Sequence, residues 1–531
     1  MKFSPHSRSA TIKNTASSHT ARSRRMKIAA GAIGFSLLAA ACTAPDEEPP
    51  RPSASNTDEV ELPAVPEGLE EFYEHDIDWE SCDESYECGT LEVPMDYDNP
   101  DGDVFTLALG KVAAGEDAKG SLLINPGGPG GSGLELLESA AMMFGDDLLA
   151  NYDIIGFDPR GVGESEPIVE CISDEERDKQ REQVFDPDTD EGLQEMVEEQ
   201  RSFAAQCTEN TGEALAFVDT GSAARDMDVI RGSLDEPKLD YLGFSYGTLL
   251  GATYADTFPD NVGHMVLDSV IDPTLTYEEV GQGQARGFGR AMDAYLEWCL
   301  DSSSCPVAGD VDSALNRIDD FMDGLDDNPL PTNDESRDLN SDSAMSGLIL
   351  ALYSKQSWAM LSQALDQAMN DRDGSMLLQF ADISADREND GTYANNSSFA
   401  FTAVNCLDYN PNPDIDEMRE DAEELDEISS FFGPALAYGG MSCEGWPVEG
   451  ETNTDPLTAE GSDTIVLIGT TRDPATPYEW AEALSEQLEN NVLVKNDGDG
   501  HGAYGSMNTC IDEIVDDYFV NDVVPEEGIT C

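Results

Sequence analysis

The stretch LDYLGFSYGTLLGATYADTFP (239–259) most constrains how this chain folds. LDYLGF has the composition of a buried strand, GTLLGATYADTFP reads as a helix, and only Gly243-Phe244-Ser245-Tyr246-Gly247 separates them. A strand that turns so sharply into a helix needs glycine on both sides of the central residue, and it belongs to a parallel sheet with flanking helices. The rest of the chain agrees. VFTLALGKV (104–112), SLLINPGG (121–128), YDIIGFD (152–158) and HMVLDSV (264–270) read as strands, and TGSAARDMDVIRGSL (220–234) reads as a helix. After residue 274 strand signals become sparse, and amphipathic segments such as GRAMDAYLEWCL and SWAMLSQALDQAMN take over. Strands return at TIVLIGT (464–470) and NVLVKND (491–497). The expectation is an α/β core in two pieces, 65–274 and 456–531, with a mainly helical cap, 275–455, inserted between them.

Residues 1–41 contain seven Lys or Arg and no acid, followed by the apolar run IAAGAIGFSLLAAAC. That layout is an export signal, too short to span a membrane. Ala39, Ala40 and Ala41 precede Cys42, and a Pro- and Glu-rich tether follows, so 1–41 reads as a signal peptide and 42–64 as a tether. The pattern resembles a bacterial lipoprotein signal with Cys42 as the lipidated residue, although the leucine stands one place further from the cysteine than usual. Plain secretion is the alternative, and SRRMK (23–27) leaves twin-arginine export open. Either way the mature protein is expected outside the cytoplasm, touching a membrane only through a lipid on Cys42.

Cysteine usage points the same way. Ten cysteines remain after Cys42: Cys82, Cys88, Cys171, Cys207, Cys299, Cys305, Cys406, Cys443, Cys510 and Cys531. An even number in an exported chain suggests disulfides, and pairing each with its sequence neighbour is the simplest arrangement. The 531 residues hold 109 acidic against 28 basic side chains, a net charge of −81. Nucleic acid is repelled by such a surface. The acidity suits a protein kept soluble in high salt, where self-repulsion is screened.

Ser245, at the tight turn, is the expected nucleophile of a hydrolase. Of the three histidines past the signal, His75 lies in an acidic lead-in and His264 opens a strand at the wrong edge of the sheet. His501, in the Gly-rich NDGDGHGAYG that follows the last strand, is the expected general base. Asp473, directly after TIVLIGTTR, completes the chain order Ser…Asp…His and would hold the imidazole tautomer. Thr476 would either orient Asp473 or cap the following helix. An oxyanion needs backbone N–H donors, which we assign to Tyr246 and to Gly128 in INPGGPGGSG. No cofactor is expected: three histidines without HExxH make a zinc site improbable, and DRENDGTY (386–393) lacks the closing Glu of a calcium loop.

NPGGPGGSG, GFDPRGVGES (156–165), GFSYGT, VLDSVIDP (266–273), TRDPATP (471–477) and GHGAYG, in this order, resemble the α/β-hydrolase family of actinobacterial tripeptidyl aminopeptidases and proline iminopeptidases. CGTLEVPMDYDNPDG (88–102) and AVNCLDYNP (403–411) resemble its secreted tripeptidyl aminopeptidase branch. The resemblance implies an α/β-hydrolase fold, a Ser245–Asp473–His501 triad, a specificity-shaping cap and peptide substrates with a free N-terminus. Asp408 is one candidate acid for the substrate ammonium, with a structural role as the alternative. A carboxylesterase using the same triad is the second functional reading, and a non-catalytic peptide-binding lipoprotein the third.

Overall fold

The described residues of the computed structural model are 62–531 apart from 83–85, 116–117, 188 and 412–413; the expected signal peptide and Cys42 lie outside them. Among them the strands are β1 (Glu80–Ser81), β2 (Glu87–Pro94), β3 (Val104–Val112), β4 (Gly120–Asn125), β5 (Tyr152–Phe157), β6 (Leu239–Phe244), β7 (Val262–Asp268), β8 (Ile465–Arg472) and β9 (Asn491–Asp499). They form one sheet in the order β1-β2-β3-β5-β4-β6-β7-β8-β9. Every pairing from β5 through β9 is parallel, whereas β1, β2 and β3 add an antiparallel ribbon at one edge. The sequence pattern had placed the first strand at residue 104. β2 escaped it because Leu91 and Val93 alone carry its alternation, among Cys88, Gly89 and Glu92.

The parallel strands read as unbroken apolar runs because both of their faces are covered. Successive side chains point to opposite faces, so each strand feeds two cores. Leu123, Leu267, Ile465 and Leu467 pack on one side, while Leu122, Ile124, Val266, Val466 and Ile468 pack on the other. This is an α/β-hydrolase fold.

Between β7 and β8 the chain is mainly helical. Helices Tyr277–Leu300, Val311–Asp327, Ser341–Leu352, Trp358–Asp366 and Ser375–Ser384 share a separate core that includes Phe288, Tyr295, Leu348, Trp358 and Leu361. The helix Ser397–Asp408 behaves differently, placing Phe399, Ala403, Val404 and Leu407 in the core of the sheet beside Tyr246 and Leu250. The insertion is therefore a helical lobe plus one helix that belongs to the α/β body. Disulfides join Cys82–Cys88, Cys171–Cys207, Cys299–Cys305, Cys406–Cys443 and Cys510–Cys531.

GFDPRGVGES, the loop after β5, has a structural task at each end. Asp158 accepts from Ser132 Oγ and from the N–H groups of Leu134 and Glu164, tying the loop to the glycine-rich turn after β4. Arg160, 1% exposed, forms a buried ion pair with Asp226 on the helix Thr220–Ser233. Its Nε and Nη2 bind the two carboxylate oxygens at 2.8 and 2.6 Å, and its remaining donors go to the carbonyls of Pro94, Met95 and Phe217. Tyr97 Oη donates a further bond to Asp226. With every donor matched, the pair offsets its desolvation; with one partner removed, a charge is stranded in the core. Asp226→Ala is expected to destabilise the protein by about 3–5 kcal/mol, read as a lowered midpoint in urea unfolding. A midpoint equal to the parent's would show that the pair is dispensable.

Candidate active site

Ser245 sits between β6 and the helix Tyr246–Thr257 at φ 55° and ψ −124°, a conformation rarely adopted by a residue with a side chain. The flanking glycines make room for it. A Cβ on Gly243 would lie 2.4 Å from the Gly247 carbonyl oxygen, and one on Gly247 would lie 2.9 Å from that of Asn125. Backbone bonds hold the turn. Ser245 N–H donates to the Asp268 carbonyl at 3.0 Å, and the Ser245 carbonyl accepts from Thr248 N–H at 2.8 Å and Thr248 Oγ1 at 2.6 Å. The Ser245 side chain remains partly exposed.

Asp473 and His501 are brought together by the ends of β8 and β9. His501 Nδ1 lies 2.9 and 3.0 Å from the two Asp473 oxygens, so Asp473 fixes the tautomer and Nε2 is the nitrogen left over. Asp473 is fully buried and accepts three further bonds, from the N–H groups of Ala475 and Thr476 and from Ser269 Oγ. Thr476 reaches Asp473 through its backbone, and its hydroxyl lies 3.3 Å from His501 Nδ1; the helix cap after it is Pro477. Burial disfavours a charged His501, but the attraction and hydrogen bond of Asp473, helped by Asp268, outweigh it and raise the pKa. Ser245 Oγ makes no hydrogen bond to His501 among the described residues. The His501 loop nonetheless lies over the turn, since a Cβ on Gly502 would touch the Phe244 ring at 4.0 Å. Such contacts often tighten only around substrate.

The glycine-rich loop after β4 lies against the same turn. A Cβ on Gly127, at φ 96°, would come 2.9 Å from Tyr246 N and 3.0 Å from Ser245 Cβ. Gly127 N–H donates to Asn125 Oδ1, whereas the N–H groups of Gly128 and Tyr246 have no acceptor among the described residues. Tyr246 N–H also opens a twelve-residue helix, where the partial positive charge of the helix end gathers. Anionic oxygen is favoured at this place.

Asp408 stands behind Tyr246 rather than beside Ser245 Oγ. Its oxygens accept from Thr220 N–H and Thr220 Oγ1, and Thr220 Oγ1 also bonds Tyr246 Oη. Burial pushes its carboxyl up to about 7, with the Thr220 bonds pulling the other way. His264 is held between Asp240 and Asp522 with its ring edge-on to Tyr518, and His75 is exposed. Three residues near the site were not singled out from sequence. Tyr353, in the helical insertion, accepts from His501 N–H at 2.9 Å and packs its ring 5.1 Å from the imidazole. Asp268 and Ser269 bond to the acid and to the His501 loop. VLDSV reads as a buried strand, and nothing local announces these contacts. Among the described residues, no group of three His, Cys, Asp or Glu side chains is placed to hold a metal ion, and no helix is long and apolar enough to cross a membrane.

Comparison with known proteins bears on this arrangement. The family model described as TAP-like protein matches residues 429–531. The chain is 37% identical over 455 residues to serine protease Hip1 of Mycobacterium tuberculosis, covering 84% of this chain and 87% of that protein. It is 33% identical over 471 residues to carboxylesterase B of the same organism, covering 85% and 89%. Tripeptidyl aminopeptidase of Streptomyces coelicolor is 31% identical over 474 residues, covering 86% of each. A turn serine, a late-strand aspartate paired to a histidine and a likeness to these relatives running the length of the body lead to one conclusion: the chain belongs to the TAP-like family of α/β-hydrolase serine peptidases.

Proposed function

We propose that the protein is an exported serine aminopeptidase that releases short peptides from free N-termini through Ser245, His501 and Asp473. The observation that carries the reading is the buried Asp473–His501 pair set over a strained, partly exposed serine. His501 Nε2 takes the Ser245 proton as Oγ attacks the scissile carbonyl, and Asp473 stabilises the imidazolium. The unpaired N–H groups of Tyr246 and Gly128 receive the developing oxyanion. His501 then passes its proton to the leaving amine, and water, activated by the same ring, hydrolyses the acyl-enzyme.

Recognition of a free N-terminus calls for a carboxylate. Asp408 keeps acceptor capacity on both oxygens beside its bonds to Thr220, although the cavity it shares with Asp219, Glu449 and Glu451 is lined by none of Ser245, Asp473 and His501. The relatives named serine protease and tripeptidyl aminopeptidase favour peptide substrates, while the relative named carboxylesterase B keeps esters as the second reading. Export through a signal at 1–41, with Cys42 as a lipid anchor and the insertion as a specificity-shaping cap, belongs to the same proposal.

Ser245→Ala is expected to lower kcat by about four orders of magnitude or more while the melting temperature stays at the parent's value. Retained turnover would reject the triad. Among chromogenic tripeptide amides, N-acetylation of a good substrate is expected to abolish cleavage. Equal cleavage of the blocked compound, with short acyl esters turned over much faster, would favour the esterase. His501 must be neutral to act, and its pKa is raised, so kcat/KM is expected to fall with unit slope as pH drops below a value above 6.5, the ordinary one for histidine. A flat profile down to pH about 5 would contradict that role for His501.

A further inference from the structure

We propose that the dipeptide Asp268–Ser269, at the carboxyl end of β7, is the positioning element that sets the three triad members in register. The proposal rests on the triad reading above. Asp268 touches the nucleophile turn through its backbone, accepting the Ser245 N–H at 3.0 Å. Its side chain reaches the base: Oδ2 accepts the N–H groups of Ala503 and Tyr504 at 2.9 and 2.8 Å, clamping the loop that starts at His501. Ser269 reaches the acid, donating from Oγ to Asp473 Oδ2 at 2.8 Å. The same oxygen accepts Gly502 N–H at 2.8 Å. A hydroxyl has one proton to give and lone pairs to receive, and this one spends them on the acid and on the residue next to the base. Ser269 N–H in turn donates to the Ile468 carbonyl of β8, fixing the dipeptide to the strand that carries Asp473.

Ser269 lies at φ 62°, a left-handed conformation that glycine would adopt at ease. A serine kept there is a local cost, and the hydroxyl bridge is what offsets it. Both residues are buried, at 0% and 1% exposure, so neither meets substrate; they act through Ser245, Asp473 and His501. Misplacement of a triad group by a fraction of an ångström is enough to slow the chemical step.

Asp268 also contributes charge. The groups that face His501 are Asp473 from the β8 loop, Asp268 from β7 and the neutral Tyr353 from the insertion. Asp499, two residues before His501, is paired with Arg472 and Lys355. Burial pushes the Asp268 carboxyl up to about 6, against the pull of the Tyr504 and Ala503 N–H groups and of His501. Its negative charge supports the protonated ring alongside that of Asp473.

The test compares Ser269→Gly, Ser269→Ala and Asp268→Asn with the parent, each normalised by fluorophosphonate titration of Ser245, and with Ser245→Ala at equal protein concentration. Glycine removes the backbone strain and alanine keeps it, yet both lack the hydroxyl. Both are expected to lose about 10- to 100-fold in kcat with KM changed by no more than about twofold. Asp268→Asn removes a negative charge beside His501 and is expected to move the acid limb of kcat/KM to lower pH. Parental kcat in Ser269→Gly, or an unmoved limb in Asp268→Asn, would overturn the proposal while leaving the triad intact. Turnover surviving in Ser245→Ala would instead overturn the triad reading.

Discussion

The turn at Ser245 governs where everything else in the site must be. A side-chain-bearing residue at φ 55° and ψ −124° costs about 1–3 kcal/mol, and it persists only where neighbours leave no alternative. Here β4 and β7 flank β6 in parallel register, so their carboxyl ends open on the same edge of the sheet. The consequence is an ordered row. The glycine-rich loop leaves β4, the Ser245 turn leaves β6, the Asp268–Ser269 link leaves β7, Asp473 follows β8 and His501 follows β9. All five stand at one edge of the sheet, and the parallel pairing of the strands supplies the alignment.

This explains which parts of the site could be read from sequence. Ser245, Asp473 and His501 each follow an apolar run that announces a buried strand, and each sits in a turn motif with its own local signature. The shortage of histidine removed most of the ambiguity about the base. The antiparallel ribbon β1–β2 was invisible because its pattern is short and half polar. Asp268 and Ser269 were hidden for another reason: their side chains bond Asp473 and the His501 loop, 204 to 236 residues away, so only the folded sheet reveals that a strand ending serves three loops at once. Asp408 was legible as a candidate, but Thr220, 188 residues distant, decides where its oxygens point.

The inserted segment touches three of these loops. Gly287, on the helix Tyr277–Leu300, allows that helix to lie on the loop of the acid; a Cβ there would come 2.4 Å from the Pro474 carbonyl oxygen and 3.0 Å from that of Asp473. Tyr353 closes the His501 loop from the far side. The helix Ser397–Asp408 rests on Gly130 of the oxyanion loop, where a Cβ would meet the Ser397 carbonyl at 2.6 Å. The loops of Asp473, His501 and Gly130 are thus each braced by a different segment of the insertion. Substitutions at these contacts therefore also disturb the loops that carry Asp473, His501 and Gly130.

Electrostatics constrains the same seam. With 28 cationic side chains against 109 acids, the chain cannot neutralise its surface, and several arginines are placed where elements meet. Arg181 pairs with Asp382 and Arg387 with Asp178, so the short helix Asp174–Glu182 and the inserted helices are cross-linked in both directions. Arg177 joins them, stacked on Tyr393 and Phe399 while donating to the Asn395 carbonyl and Ser398. Planar guanidinium groups suit this work because they bind carboxylates in pairs and stack on rings while shedding little hydration. Mobile ions weaken repulsion between exposed acids over about 8 Å at physiological strength but reach partly buried pairs much less. Salt therefore relieves the excess negative charge on the surface and leaves the arginine seam in force.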